Sequence, residues 1–124
     1  MTTEGLTRWP VIADAFEIYE ILMRLGVTAN YTGFRQSAYA VYLAMQNPDR
    51  LILVSKWLYP DVAKHYGTTW LAVERNIRTA AKLAWESNPM LLCELAAYRL
   101  TGRPKAARFI AILAFYFLKA PPAA

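Results

Sequence analysis

Apolar side chains along this chain recur at intervals of three and four residues instead of alternating with polar ones. That spacing lines one face of a 3.6-residue helix, and it predicts helices along most of the chain. In PVIADAFEIYEILMRLG, residues 10–26, the side chains of Ile12, Phe16, Tyr19, Leu22 and Met23 fall on one stripe. Pro10 suits a first helical position and Gly26 a stop. A second helix is predicted from Phe34 to about Gln46, ended by Asn47-Pro48, because a residue before proline avoids the helical region. DRLILVSKWL, residues 49–58, predicts a third helix, short and apolar, with Asp49 as its N-cap. YPDVAKHYG predicts a fourth, with Pro60 at its start, Asp61 in the first turn where the helix dipole favours negative charge, and Gly67 at its end. The fifth, Thr69 to Glu86, has the clearest period. NPMLLCELAAYRL and PKAARFIAILAFYFLKA predict a sixth and a seventh. Val, Ile and Thr nowhere alternate with polar residues over a useful length, so strands are not expected. The prediction is an all-α domain over 1–124, a bundle of six to seven helices with short connections.

The fourth and fifth predicted helices have the layout of a helix-turn-helix. Ala63 and Gly67 sit four apart. A small residue in the first helix lets the second cross close to it, and glycine takes the positive φ of a sharp reversal. Thr68 or Thr69 can cap the second helix with its hydroxyl. The inner stripe of that helix is Val73, Ile77, Ala80, Ala81 and Ala84, and the outer stripe is Glu74, Arg75, Arg78, Thr79 and Lys82. Such a helix can bury one side and offer the other to a DNA major groove, where arginine forks onto guanine and glutamate accepts from cytosine. The pattern equally describes a solvated helix face with Glu74 and Arg78 paired four residues apart. From pattern alone, a DNA-binding module and a helical protein-interaction module both stay open.

Charge changes the picture. The net charge is +5, and it is unevenly placed. Residues 1–50 carry four basic and five acidic side chains, and residues 51–124 carry ten basic and four acidic. A positive excess confined to one half points to an anionic partner, nucleic acid before membrane. Four cations, Arg99, Arg103, Lys105 and Arg108, crowd into YRLTGRPKAAR, where they can hold a phosphate backbone. The longest apolar run, Phe109 to Leu118, is ten residues, well short of the ~20 that a spanning helix needs. The N-terminal stretch lacks a basic region followed by an apolar run, so no export signal is read and a cytoplasmic location is expected. Cys93 is the single cysteine, which excludes an intrachain disulfide and fits a reducing compartment. His65 is the single histidine. Without a second histidine, a nearby cysteine or a carboxylate pair, no metal site, cofactor or catalytic constellation is expected.

The last predicted helix is unusual. From Phe109 to Leu118 no position carries a charge or an amide. One stripe of somewhat over ~100° suffices to pack a helix on a small domain. The remaining aromatics, Phe115, Tyr116 and Phe117, are therefore expected to meet water or a second copy, and the domain is expected to self-associate through them. Wrapping of that face by the first helix, with Trp9, Phe16 and Tyr19, is the competing arrangement.

LYPDVAKHYGTTWLAVERNIRTAAKLAW, residues 58–85, resembles the C-terminal effector domain of the sporulation response regulator Spo0A. The upstream ILMRLGVTANYTGFRQSAYAVYLA and the downstream GRPKAARFIAILAFYFL extend the resemblance to about residues 18–118. It implies an all-helical domain that binds double-stranded DNA through a helix-turn-helix, often as head-to-tail pairs on short asymmetric boxes, and that regulates transcription without catalysis. It matches Glu74, Arg75 and Arg78 to polar positions of the family's recognition helix, and base contacts are expected from these three and Thr79. Phosphate contacts are expected from Lys64, His65, Thr68, Thr69, Lys82, Arg103, Lys105 and Arg108. Two positions depart from the family pattern: Ala72 stands where the family has arginine, and Thr79 where it has histidine. Loss of a bidentate arginine removes about 1–3 kcal/mol of base discrimination, so the preferred operator is expected to differ. About 17 residues precede the resemblance, too few for the receiver domain of the family's regulators, and a stand-alone effector domain is expected. The rival expectation is an interaction module that kept the fold and uses its apolar last helix to bind protein.

Overall fold

The computed structural model describes residues 12–119. Seven α-helices and one 3-10 turn occupy that range, with no strand among the described residues. They are α1 (Ile12–Arg24), α2 (Thr32–Gln46), the turn Pro48–Leu51, α3 (Val54–Trp57), α4 (Tyr59–Tyr66), α5 (Trp70–Ser87), α6 (Pro89–Ala96) and α7 (Ala106–Lys119). The predicted helix starts at Pro10 and the packing role given to Trp9 lie outside the described residues.

The two longest helices, α2 and α5, cross each other, and α7 packs along α2 as extensively as α5 does. Their contact is drawn tight by Gly33. A Cβ there would sit 2.6 Å from the carbonyl oxygen of Asn76 and against the ring of Tyr31. Where the side chain is missing, the Tyr31 hydroxyl donates to that same carbonyl at 2.8 Å. Beside it the Asn76 amide donates to Oε1 of buried Gln36 at 2.9 Å. These hydrogen bonds cross an otherwise apolar interface and favour one register between α2 and α5. The core around them contains Leu22, Leu25, Val41, Leu58, Ile77, Leu92, Phe109, Ile110 and Leu113, each without exposed surface.

Two expectations need correction, and a third holds in part. The buried stripe of α1 is Ala15, Ile18, Ile21 and Leu22, continued by Leu25 just past its end, whereas Phe16 and Met23 face solvent. Both faces of this helix are apolar, so period alone does not select the one that docks. DRLILVSKWL is not one helix. The 3-10 turn is capped by Asn47, whose side-chain oxygen accepts from the Asp49 amide, so Asp49 is not the cap. Leu53, at φ −146° and ψ 84°, then separates the turn from the single helical turn α3. Arg50 holds the two pieces to α4, donating to the Trp57 carbonyl at 2.7 Å and pairing with Asp61 at 2.6 Å. For α7 the expectation of one packed stripe with aromatics left over holds in part, because Phe115 is exposed. Phe109, Ile110, Ile112, Leu113 and Ala114 are buried, and Tyr116 and Phe117 are half-buried. Neighbours on several sides cover α7, because α2, α5 and α6 all pack against it.

Candidate nucleic-acid interface

α4 ends in a left-handed Gly67, at φ 66° and ψ 40°. The backbone amides of Gly67 and Thr68 both turn back to the Ala63 carbonyl, the latter at 2.9 Å, so the chain reverses within one residue. Thr69 then caps α5, its hydroxyl oxygen accepting from the Ala72 amide at 3.2 Å. Val73, Ile77, Ala80, Ala81 and Ala84 are completely buried against the bundle. The alanines let α5 lie deep in the fold, so its opposite face stands out as a ridge.

That ridge carries Arg75, Arg78 and Lys82, all exposed. Glu74 lies on its flank, half-buried, with Arg78 4.0 Å away. At that distance and exposure the pair is weak and leaves the guanidinium available. Thr79 is half-buried, and its hydroxyl donates to the Arg75 carbonyl at 3.1 Å, which leaves only acceptor capacity facing outward.

Glu74 and Arg78 form one wall of a groove of about 420 Å³, and Arg103, Pro104 and Lys105 form another. Pro104 is buried and anchors the loop, while Arg103 and Lys105 remain exposed. The fold thereby brings together cations that are some 25 residues apart in sequence. Tyr59 closes the groove floor. Burial, and secondarily the Glu74 carboxylate, pushes its phenol far above the ordinary value. The Tyr59 hydroxyl is buried without a hydrogen-bond partner.

The remaining phosphate candidates divide. Thr68, Thr69 and Lys64 are exposed around the turn. His65 is exposed too, but its ring stacks on Tyr39 at 4.3 Å and meets the edge of Tyr66 at 4.7 Å. Arg108 does not join Arg103 and Lys105. It donates to the Tyr98 hydroxyl and lines a separate groove between α6 and α7. Three to five residues along, the loop has become α7, and helical rotation carries Arg108 to another face.

The α6–α7 groove, about 420 Å³, also holds Glu94, Leu95, Ile112, Phe115 and Lys119. Of the three aromatics expected at an association surface, Phe115 is exposed, and Tyr116 and Phe117 are half-buried with their rings edge to face. Leu118 and Tyr98 are exposed beside Phe115.

Two groups were missed by pattern reasoning. Leu71, 61% exposed, opens the outer ridge one turn before Arg75, and its place in the series 71, 75, 78, 82 is the signal that finds it. Ile52, Leu53 and Trp57 form an exposed apolar edge near α4, with the Lys56 ammonium 4.9 Å from the Trp57 ring centre. Cys93 is half-buried and its sulfur accepts from the Leu100 amide at 3.4 Å, a structural role. No helix of the described residues is long and apolar enough to cross a membrane. Among the described residues no group of three or more His, Cys, Asp or Glu is placed to hold a metal ion.

The model of a protein family described as sporulation initiation factor Spo0A C terminal matches residues 18–117, most of the chain.

Proposed function

This chain belongs to the Spo0A C-terminal family, a family of DNA-binding regulatory domains and not of enzymes, and from that premise we propose that it recognises duplex DNA sequence-specifically by laying α5 in the major groove. The observation that carries the reading is the ridge of Arg75, Arg78 and Lys82 on a helix whose other face is entirely buried. Arg75 and Arg78 read bases, with Glu74 and Thr79 on the flanks. Lys64, His65, Thr68 and Thr69 meet phosphates at the turn, and Lys82 at the other end of the ridge. Arg103 and Lys105 meet phosphates across the groove. Asp61 lies on the same helix as Lys64 and His65, and its pairing with Arg50 offsets a carboxylate charge that would otherwise oppose a phosphate backbone there. Arg108, held by Tyr98, is assigned to the other groove.

A salt titration of binding to selected and scrambled duplexes tests the proposal. Each base-reading arginine is worth about 1–3 kcal/mol of specific binding, so Arg75→Ala/Arg78→Ala should collapse the preference for the selected duplex. Arg103→Ala should weaken all duplexes alike and lower the log–log salt slope by about 0.9. Unchanged binding by the double variant, with helicity intact by circular dichroism, rejects the assignment. Little binding to any duplex, even at low salt, favours the protein-interaction module instead.

A second reading concerns assembly. The α6–α7 groove exposes Phe115 and Tyr98 together, with Leu118 exposed one helical turn beyond Phe115, and it bears both signs of charge, Glu94 against Arg108 and Lys119. A second copy meets such a surface with complementary charge, which supports self-association there.

A further inference from the structure

Leu71 occupies a place that the assignments above leave without a task. It lies in the first turn of α5, two residues after the Thr69 cap. Counting forward at 100° per residue, it shares one ridge with Arg75, Arg78 and Lys82 at spacings of four, three and four. It is the most exposed large apolar residue of α5, and Trp70 beside it is 37% exposed. A scattered surface leucine is ordinary. A leucine heading the same ridge as three cations is different, because whatever those cations touch, Leu71 touches as well.

The N-terminal part of a recognition helix is the part that meets base edges. Apart from the small C5–H of cytosine, the major-groove edge of a base pair presents polar donors and acceptors at every position but the C5-methyl of thymine, which is its one bulky apolar group. Opposite any polar edge, Leu71 would strip water from a donor or acceptor and return no hydrogen bond, which is unfavourable. Opposite the methyl it buries apolar surface on both sides. We infer that Leu71 is a specificity-determining residue, and that it selects a thymine in the operator by packing against its C5-methyl. This rests on α5 being the recognition helix. The four residues from Leu71 to Arg75 rise about 6 Å, so the thymine lies within about two base-pair steps of the base read by Arg75. Trp70 is less exposed and flanks the contact, where it shields the methyl from water.

Replacing thymine by uracil removes the methyl and nothing else, which isolates the contact. A preferred box is first selected from randomised duplexes with the wild-type chain. Deoxyuridine then replaces each thymidine of that box singly, on either strand, and affinities are measured for wild type, Leu71→Ala and Arg75→Ala. Wild type should lose about four-fold at one position, the worth of burying one methyl-sized group. Leu71→Ala should bind the thymine box several-fold more weakly and no longer distinguish uracil from thymine there. Arg75→Ala should bind weakly yet keep the uracil effect. Equal binding of every uracil-substituted box by wild type overturns the inference while leaving DNA recognition intact. So does a uracil effect that survives in Leu71→Ala. Failure of selection to enrich any sequence overturns the inference together with the proposed function. Leu71 is exposed and outside the core, so its alanine variant folds, and circular dichroism verifies this.

Discussion

Tyr59 shows how one side chain can link the core to the candidate interface. Its ring is buried, its hydroxyl has no partner, and Glu74 of α5 lies close enough to disfavour its ionisation. An unfolded chain releases a phenolic proton near pH 10. The folded chain retains it to higher pH, so Tyr59 contributes stability that is fully present below about pH 10 and is lost as pH rises beyond it. Wild type should therefore lose up to about 1.4 kcal/mol per pH unit above pH 10 that Tyr59→Phe does not lose. Chemical denaturation of both proteins from pH 8 upward measures the difference. At neutral pH the phenylalanine variant should be at least as stable, because it removes a buried hydroxyl that bonds nothing. A parallel pH dependence in the two proteins, or a clear loss at pH 7, would show that the hydroxyl has a partner. No pattern of hydrophobic and polar residues discloses such a group, since Tyr59 reads simply as the first residue of a helix.

At the scale of elements, the turn between α4 and α5 sets the angle at which the ridge is offered. Gly67 has room for a side chain, with nothing within 4 Å of an added Cβ, so only its positive φ resists substitution. Gly67→Ala should cost about 1–2 kcal/mol, and Gly67→Asn less, because asparagine tolerates the left-handed region better. Urea unfolding compares them, and an alanine variant as stable as wild type would mean that the turn relaxes into another conformation. This part of the fold was legible in the sequence. Gly67, the capping threonine and the unbroken period of Val73, Ile77, Ala80 and Ala84 are local signals, and each acts within a few residues of itself. The face of α1 was not legible and that of α7 only in part, for one common reason. Where Phe16 and Ile18, or Ile112 and Phe115, are equally apolar, the choice of buried face is made by the helices that arrive from elsewhere. Arg108 illustrates the same limit: its charge is visible in the sequence, but its separation from Arg103 and Lys105 depends on where α7 begins. The split of residues 49–58 was missed because Leu53, which breaks it, carries no breaker's chemistry.

At the scale of the whole molecule, two surfaces of different character stand out. The α5 ridge with the 103–105 loop is cationic, and the α6–α7 groove is largely apolar with balanced charge. Two free copies, each at +5, repel one another, and a duplex that neutralises them should strengthen their association. We expect weak self-association in solution and tighter pairing on a two-box duplex. Phe115→Glu should raise the dimer dissociation constant at least about ten-fold without changing helicity. Sedimentation equilibrium reads this directly, and a wild-type monomer at high micromolar concentration, with independent copies on the two-box duplex, would reject the interface. The position of α7 has a further consequence, for synthesis. It is the last of the described helices to be made, yet Phe109, Ile110 and Leu113 lie at the centre, and α2, α5 and α6 close upon it. On the ribosome, therefore, the earlier helices can meet one another, but the apolar surface that α7 covers on α2, α5 and α6 waits for a segment still unmade. α5 can be fully synthesised while part of its inner face is still uncovered. A nascent chain should stay unable to read DNA until α7 has cleared the exit tunnel, so the order of translation delays function until the domain is complete.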